Sequence, residues 1–159
     1  MATDKFPELK ELTAKANNKG IISFISDGAI PMWSVVKIVA PASVGDLPLI
    51  EIADTLNNAD VIGIAVGGSG TPVNSDGSTG TAADAAGDIV DVAVLSSAVI
   101  TKVVTDGTTI AIGSSLVASN TDGAAALAAS TTPVYVIGKA MQPSTTAGDT
   151  ILVFTGGSS

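Results

Sequence analysis

Along most of this chain the apolar residues fall into short runs, each closed by Gly, Asp, Asn or Pro. The run Val61-Ile62-Gly63-Ile64-Ala65-Val66 is too short to read first as a helix and is rich in β-branched residues. It predicts a strand buried on both faces, with a close approach of another chain segment at its glycine. Val136-Ile137-Gly138-Lys139-Ala140-Met141 repeats the pattern Val-Ile-Gly-x-Ala-apolar. The surroundings repeat as well. Asp27-Gly28 and Asp106-Gly107 lie upstream. Ala86-Gly87-Asp88-Ile89-Val90-Asp91-Val92 and Ala147-Gly148-Asp149-Thr150-Ile151-Leu152-Val153 lie downstream. The pattern predicts one β unit used twice, with Gly63 and Gly138 in matching strands.

Other runs fill in the sheet. Ile21–Ile25 and Val35–Val39 read as strands, and Leu49–Ile52 as a short strand or a helix start. Gly87–Leu95 reads as a strand that pairs with Val99–Val104, followed by Ile110-Ala111-Ile112 and Leu116-Val117. Ala124–Ala129 fits a helical turn or a loop. Val134–Met141 and Ile151–Phe154 close the sheet. Residues 67–86 form a Gly/Ser/Thr-rich insertion whose counterpart in the second half is only Gln142–Thr146. An insertion of that length inside a compact domain is usually functional or disordered, and Ser69, Thr71 and Asp76 are its candidate contact residues. Trp33, the one tryptophan, stands at a strand entry and reads as a core plug in preference to a binding platform.

Only residues 6–18 show helical periodicity. Pro7 suits a first helical position, Glu8 and Glu11 suit the first turn, and Gly20 is a natural stop. The stripe Phe6, Leu9, Leu12 and Ala16 is too narrow to form a core alone. The expected organisation is therefore an N-terminal arm or short helix over 1–20, a β body over 21–155 and a flexible tail over 156–159. The fold class is mainly β, a small β-barrel or β-tulip-like domain built from two related β units. A length of 159 residues allows one domain with a real core or two small fused halves.

Composition narrows the chemistry. The chain has no Cys, His or Arg. That removes disulfides, thiolate nucleophiles, the commonest general base and zinc ligand, and the bidentate clamp for phosphate or carboxylate. The net charge of −8 opposes nucleic acid. No apolar run approaches membrane-spanning length, and no secretory signal is evident at the start. Charge is unevenly placed: Lys5, Lys10, Lys15 and Lys19 sit in the head, whereas the remainder has only Lys37, Lys102 and Lys139 against twelve acids.

The motifs that suggest chemistry are weak. Gly68-Ser69-Gly70-Thr71 lacks the Gly-Lys-Ser/Thr ending of a phosphate loop. The many aspartates lack calcium-loop spacing, and most lie beside Gly, where their side chains bond their own backbone. No pair of carboxylates is singled out for hydrolysis. The expectation is a protein without enzymatic activity, cofactor or metal.

Taken in order, the Val-Val-x-Ile-Val strand, Val-Ile-Gly-Ile-Ala, Ala-Gly-Asp-Ile-Val-Asp-Val-Ala-Val, Ile-Ala-Ile-Gly-Ser-Ser-Leu, Thr-Asp-Gly, Val-Ile-Gly-Lys-Ala and Ala-Gly-Asp-Thr-Ile-Leu-Val resemble the capsid decoration proteins of tailed bacteriophages, also called cement or head-stabilising proteins. The resemblance covers about residues 21–155. It implies a structural virion protein, made in the host cytoplasm and placed on the outer surface of the head. There it would sit as a homotrimer and clamp neighbouring major capsid proteins, often through an N-terminal arm. Phe6, Leu9, Leu12, Lys15 and Lys19 are then the candidate capsid-binding residues, with no nucleic-acid or membrane partner. The insertion at 67–86 departs from the plainest members of the family. Two alternatives stand beside this reading. One is a carbohydrate- or host-surface-binding β module using Trp33 and the 67–86 loop; the other is a hydrolase using two aspartates.

Overall fold

The computed structural model describes residues 20–39, 48–129 and 134–156. Its strands are β1 (Ile21–Ser26), β2 (Ile30–Pro31), β3 (Val35–Val39), β4 (Leu49–Ile52), β5 (Val61–Gly68), β6 (Thr81–Ala83), β7 (Ile89–Val94), β8 (Ile100–Asp106), β9 (Ser115–Ala118), β10 (Ala125–Leu127), β11 (Gly138–Ala140) and β12 (Ala147–Phe154). They form two closed five-stranded barrels, ordered β1-β4-β3-β5-β7 and β10-β8-β12-β11-β9, with β2 and β6 as a small separate sheet. Closure leaves neither barrel with a free edge.

The barrels share one topology. β1 runs parallel to β4 and antiparallel to β7, and β8 runs parallel to β10 and antiparallel to β12. β3 lies between β4 and β5 as β9 lies between β10 and β11, all antiparallel. β5 pairs with β7 as β11 pairs with β12. The predicted duplication is therefore real, and Gly63 and Gly138 occupy matching strands. Each glycine admits its neighbour in the same way. A Cβ on Gly63 would overlap the Ala93 carbonyl oxygen and Val92 Cγ1, and one on Gly138 would overlap the Phe154 carbonyl oxygen and Val153 Cγ2.

The repeat extends to the turns. The Trp33 N–H donates to the Ala65 carbonyl at 2.9 Å, and the Gly113 N–H to the Ala140 carbonyl at 2.7 Å. Both donors hold positive φ, 66° for Trp33 and 83° for Gly113. Ser26 Oγ donates to the Ala85 carbonyl and Thr105 Oγ1 to the Thr146 carbonyl. The bridge between Ile110 and Ser144 stands where β2 pairs with β6.

Inside the first barrel Val36, Ile50, Ala65, Val90 and Val92 pack with Ile30 and Met32. Leu116, Ala125, Ala140, Ile151 and Val153 fill the matching places in the second. A second apolar layer joins the barrels: Val35 and Ile64, on the outer face of the first, are fully buried in the cluster that contains the second barrel's core. Backbone bonds reinforce the junction. Val35 N–H donates to the Gly123 carbonyl, Gly123 N–H to the Ala53 carbonyl, and Val104 N–H to the Trp33 carbonyl. The linker between β7 and β8 is fastened by buried Thr155. Its Oγ1 accepts from Val99 N–H at 3.1 Å, and its carbonyl accepts from Ser96 N–H at 2.9 Å.

Several local expectations change. Residues 99–104 do not pair with the 87–95 strand; β8 lies between β12 and β10 instead, because each half closes on itself. The Ala-rich piece 124–129 is neither helix nor loop but contains β10, whose small buried side chains fit a narrow barrel interior. Leu49–Ile52 is a strand. Of Val134–Met141 only Gly138–Ala140 is regular strand, and Ile110–Ile112 makes a single bridge.

Candidate functional site

The residues singled out in the sequence fall in three places. Phe6, Leu9, Leu12, Lys15 and Lys19 lie outside the described residues, as does most of the 1–20 arm. The 67–86 insertion is not a loop throughout: Gly67 and Gly68 end β5, Thr81–Ala83 form β6 with Ala82 and Ala83 buried in the first core, and the residues between make an exposed hairpin. Its neck is held by Thr81 N–H to the Thr71 carbonyl at 2.8 Å and by Gly80 N–H to the Pro72 carbonyl at 3.0 Å, with a bridge between Val73 and Thr79 beyond.

Its three candidate side chains are used within the fold. Ser69 Oγ accepts from the Ile89 N–H at 3.0 Å. Thr71 Oγ1 donates to Asp84 Oδ2 at 2.9 Å, and Thr81 Oγ1 donates to the other oxygen of the same carboxylate. Asp76 Oδ1 accepts from the Ser78 N–H and hydroxyl at 2.9 and 2.6 Å. Hydroxyl donors from Thr81 and Thr71 hold Asp84 below the usual carboxylate range, and donors from Ser78 do the same for Asp76. These aspartates stabilise loop geometry. Among the described residues, no three acidic, His or Cys side chains gather as a metal site.

Trp33 is half-buried against the core of the first barrel, as a plug would be, yet it also faces the second: Lys102 Nζ lies 5.5 Å from its ring centroid. That cation covers the ring face a sugar would need.

The outer barrel faces carry what the sequence reading missed. On β8 and β12, Thr101, Val103, Ile151 and Val153 point inward and are buried. The alternate residues face out in register: Ile100 opposite Phe154 and Lys102 opposite Leu152. Lys139 of β11 lies opposite Phe154 on the same face. Two of the body's three lysines thus share one apolar face. The third, Lys37, is held by Asp54 at 2.7 Å and Glu51 at 3.2 Å. The hydrogen bond to Asp54, against an opposing effect of burial, raises the Lys37 ammonium above its ordinary value, and the same bond lowers Asp54.

The equivalent outer face of the first barrel pairs Ser23 with Asp91 and Ile25 with Ile89. Ser23 Oγ donates to Asp91 Oδ1 at 2.7 Å. Beside them lies a groove of about 280 Å³ lined by Ser23, Phe24, Ile25, Pro48 and Ile89. The only signal for either face in the sequence is one isolated lysine in each of β8 and β11, within a body that is otherwise acidic.

No protein-family model matches the chain, and no curated protein matches it. Among solved structures it is similar to the head fiber gp8.5 N base of bacteriophage phi29. The two share the fold at a TM-score of 0.50 and 17% identity, over 85% of this chain and 93% of that one.

Proposed function

We propose that this chain is a structural virion protein that binds the outer surface of a phage head as a homotrimer and stabilises it by clamping neighbouring major capsid proteins. The observation that carries the reading is the two-barrel fold, shared over most of both chains with the base of a phage head fiber. The decoration-protein resemblance of residues 21–155 supports the same location. The chemistry of the body agrees: Asp76 and Asp106 are spent on turns, its indole is covered by a lysine, and its barrels present apolar and charged faces suited to protein partners. In this reading the protein is not an enzyme. Its acidity keeps many copies apart on a crowded surface.

The N-terminal segment supplies the grip. Burying Phe6, Leu9 and Leu12 against the capsid contributes several kcal/mol at about 25 cal/mol per Å², part of it lost to ordering the segment. The test is deletion of residues 1–20. The truncated protein is expected to keep the thermal midpoint of the whole chain and to co-sediment poorly with undecorated heads. Undiminished binding rejects the role of the arm, and failure of the full chain to bind any head rejects the function.

A further inference from the structure

Two surfaces related by the internal repeat differ in charge. The outer face of β8–β12–β11 carries Lys102 and Lys139 among Ile100, Leu152 and Phe154, with Ile100 56% exposed. Among the described residues all ion pairs belong to Lys37, so these two ammonium groups meet no carboxylate there. The matching face of β1–β7 has Asp91 where the second barrel has Leu152, and Ser23 where it has Lys102. Beside Asp91 lies the apolar groove, with Ile89 53% exposed at its rim. A cationic, apolar face and an anionic, grooved face lie on opposite barrels of one chain.

We propose that the two faces bind each other between copies: the β8–β12–β11 face of one copy docks on the β1–β7 face of the next. Lys102 and Lys139 approach Asp91, and Ile100 and Phe154 seat against Ile25 and Ile89. A contact between two different surfaces is head-to-tail, and it ends only by closing into a ring. This rests on the homotrimer proposed above and supplies its interface. Charge complementarity argues for a second copy as the occupant. The body holds twelve acids against three lysines, so two copies meeting at random repel, whereas this pairing of faces sets lysine against aspartate and apolar side chains against apolar side chains.

The test measures mass in solution by sedimentation equilibrium on the full chain. The wild type is expected to be trimeric and to dissociate as salt rises, because these pairs lie at the rim of a wet contact. Lys102→Glu/Lys139→Glu and, on the opposite face, Ile89→Glu should each weaken association at least tenfold while leaving the monomer folded, with a small loss of thermal midpoint for the lysine variant because Lys102 leaves the Trp33 ring. Adding Asp91→Lys to Lys102→Glu should restore part of the loss, an outcome that a merely misfolded variant cannot give. Three results overturn the proposal: a monomeric wild type, variants that associate as tightly as the wild type, or variants that stay trimeric but no longer co-sediment with heads. The last would assign the lysine face to the capsid. A wild type that trimerises yet ignores heads would reject the proposed function and leave this interface standing.

Discussion

Val35 and Ile64 face each other across β3 and β5 of the first barrel; Ser115 and Lys139 face each other across β9 and β11 of the second. The two pairs occupy the same places in the repeat. Inside, the barrels agree position by position, with Val36 answered by Leu116 and Ala65 by Ala140, because a closed five-stranded interior admits little else. Outside, they differ wherever their surroundings differ. The first pair lies under the second barrel and is fully buried, while the second pair is left at the surface and has become polar. A duplicated unit thus keeps its inner face for folding, while its outer face is free to change.

The sharpest way to break this comparison is to exchange the outer residues. Ile64→Lys places a cation among Val35, Val103 and Ile137 with no carboxylate in that cluster. It should cost about 4 kcal/mol or more, enough to prevent folding or to separate the barrels. The reciprocal Lys139→Ile should stay within about 0.5 kcal/mol in stability. Urea unfolding of both variants checks the pair. Equal effects would mean that the barrels do not depend on their junction.

The inner faces were the legible part of the sequence. The doubled Val-Ile-Gly-x-Ala motif located β5 and β11, and the Ala-Gly-Asp motifs located the starts of β7 and β12, because close packing demands those residues wherever the unit is used. Pairing was not legible. Residues 87–95 and 99–104 are neighbours in sequence and both alternate, which suits a hairpin. A linker in which Ser96 and Ala98 take φ of 61° and 55° instead sends the chain into a new barrel. β10 was missed because alanine has low β-propensity, and only the narrow interior selects it. The lysine face had no motif at all; it exists only once β8, β11 and β12 are side by side.

The shared glycines sharpen the comparison from the other direction. Gly63→Ala and Gly138→Ala both push a methyl group into a backbone carbonyl of the neighbouring strand. Each should cost about 1–3 kcal/mol, and by similar amounts, since the strand-to-strand approach is the same in both barrels. Thermal unfolding of the two variants checks this, and a large inequality would show that one barrel dominates stability.

Trp33 and Gly113 ask the opposite question: the same turn, with and without a side chain. Non-glycine residues at such φ carry a strain of about 1 kcal/mol, which Trp33→Gly relieves. The substitution also removes the indole from the first barrel's core and from beneath Lys102. Loss of that burial outweighs the relief, for a net cost of about 1–2 kcal/mol. Gly113→Ala adds strain with no new contact and should cost about 1 kcal/mol. Differential scanning calorimetry orders the two. A more stable Trp33→Gly would show that the indole is kept for a partner and not for the fold.

The smallest effect concerns the aspartates that open the two turns after β1 and β8. Asp106 accepts from the Thr108 N–H at 2.9 Å, from the Thr108 hydroxyl at 2.8 Å and from Ser119 Oγ at 2.6 Å, tying β8 to the end of β9. No side-chain bond of this kind holds Asp27, its counterpart, among the described residues. Partial burial acts to raise the Asp106 carboxyl, but the donors from Ser119 and Thr108 outweigh it and leave the group below its ordinary value. A carboxyl depressed in the folded state stabilises fully above the unfolded value near about 3.9, and that contribution is lost as pH falls through the lower folded value. Asp106→Asn should therefore destabilise slightly at pH 7 and flatten the loss of stability toward acid. Urea midpoints followed from pH 7 down through the carboxylate range give the comparison, and identical acid limbs for wild type and Asp106→Asn would show that Ser119 and Thr108 do not hold the ionised form.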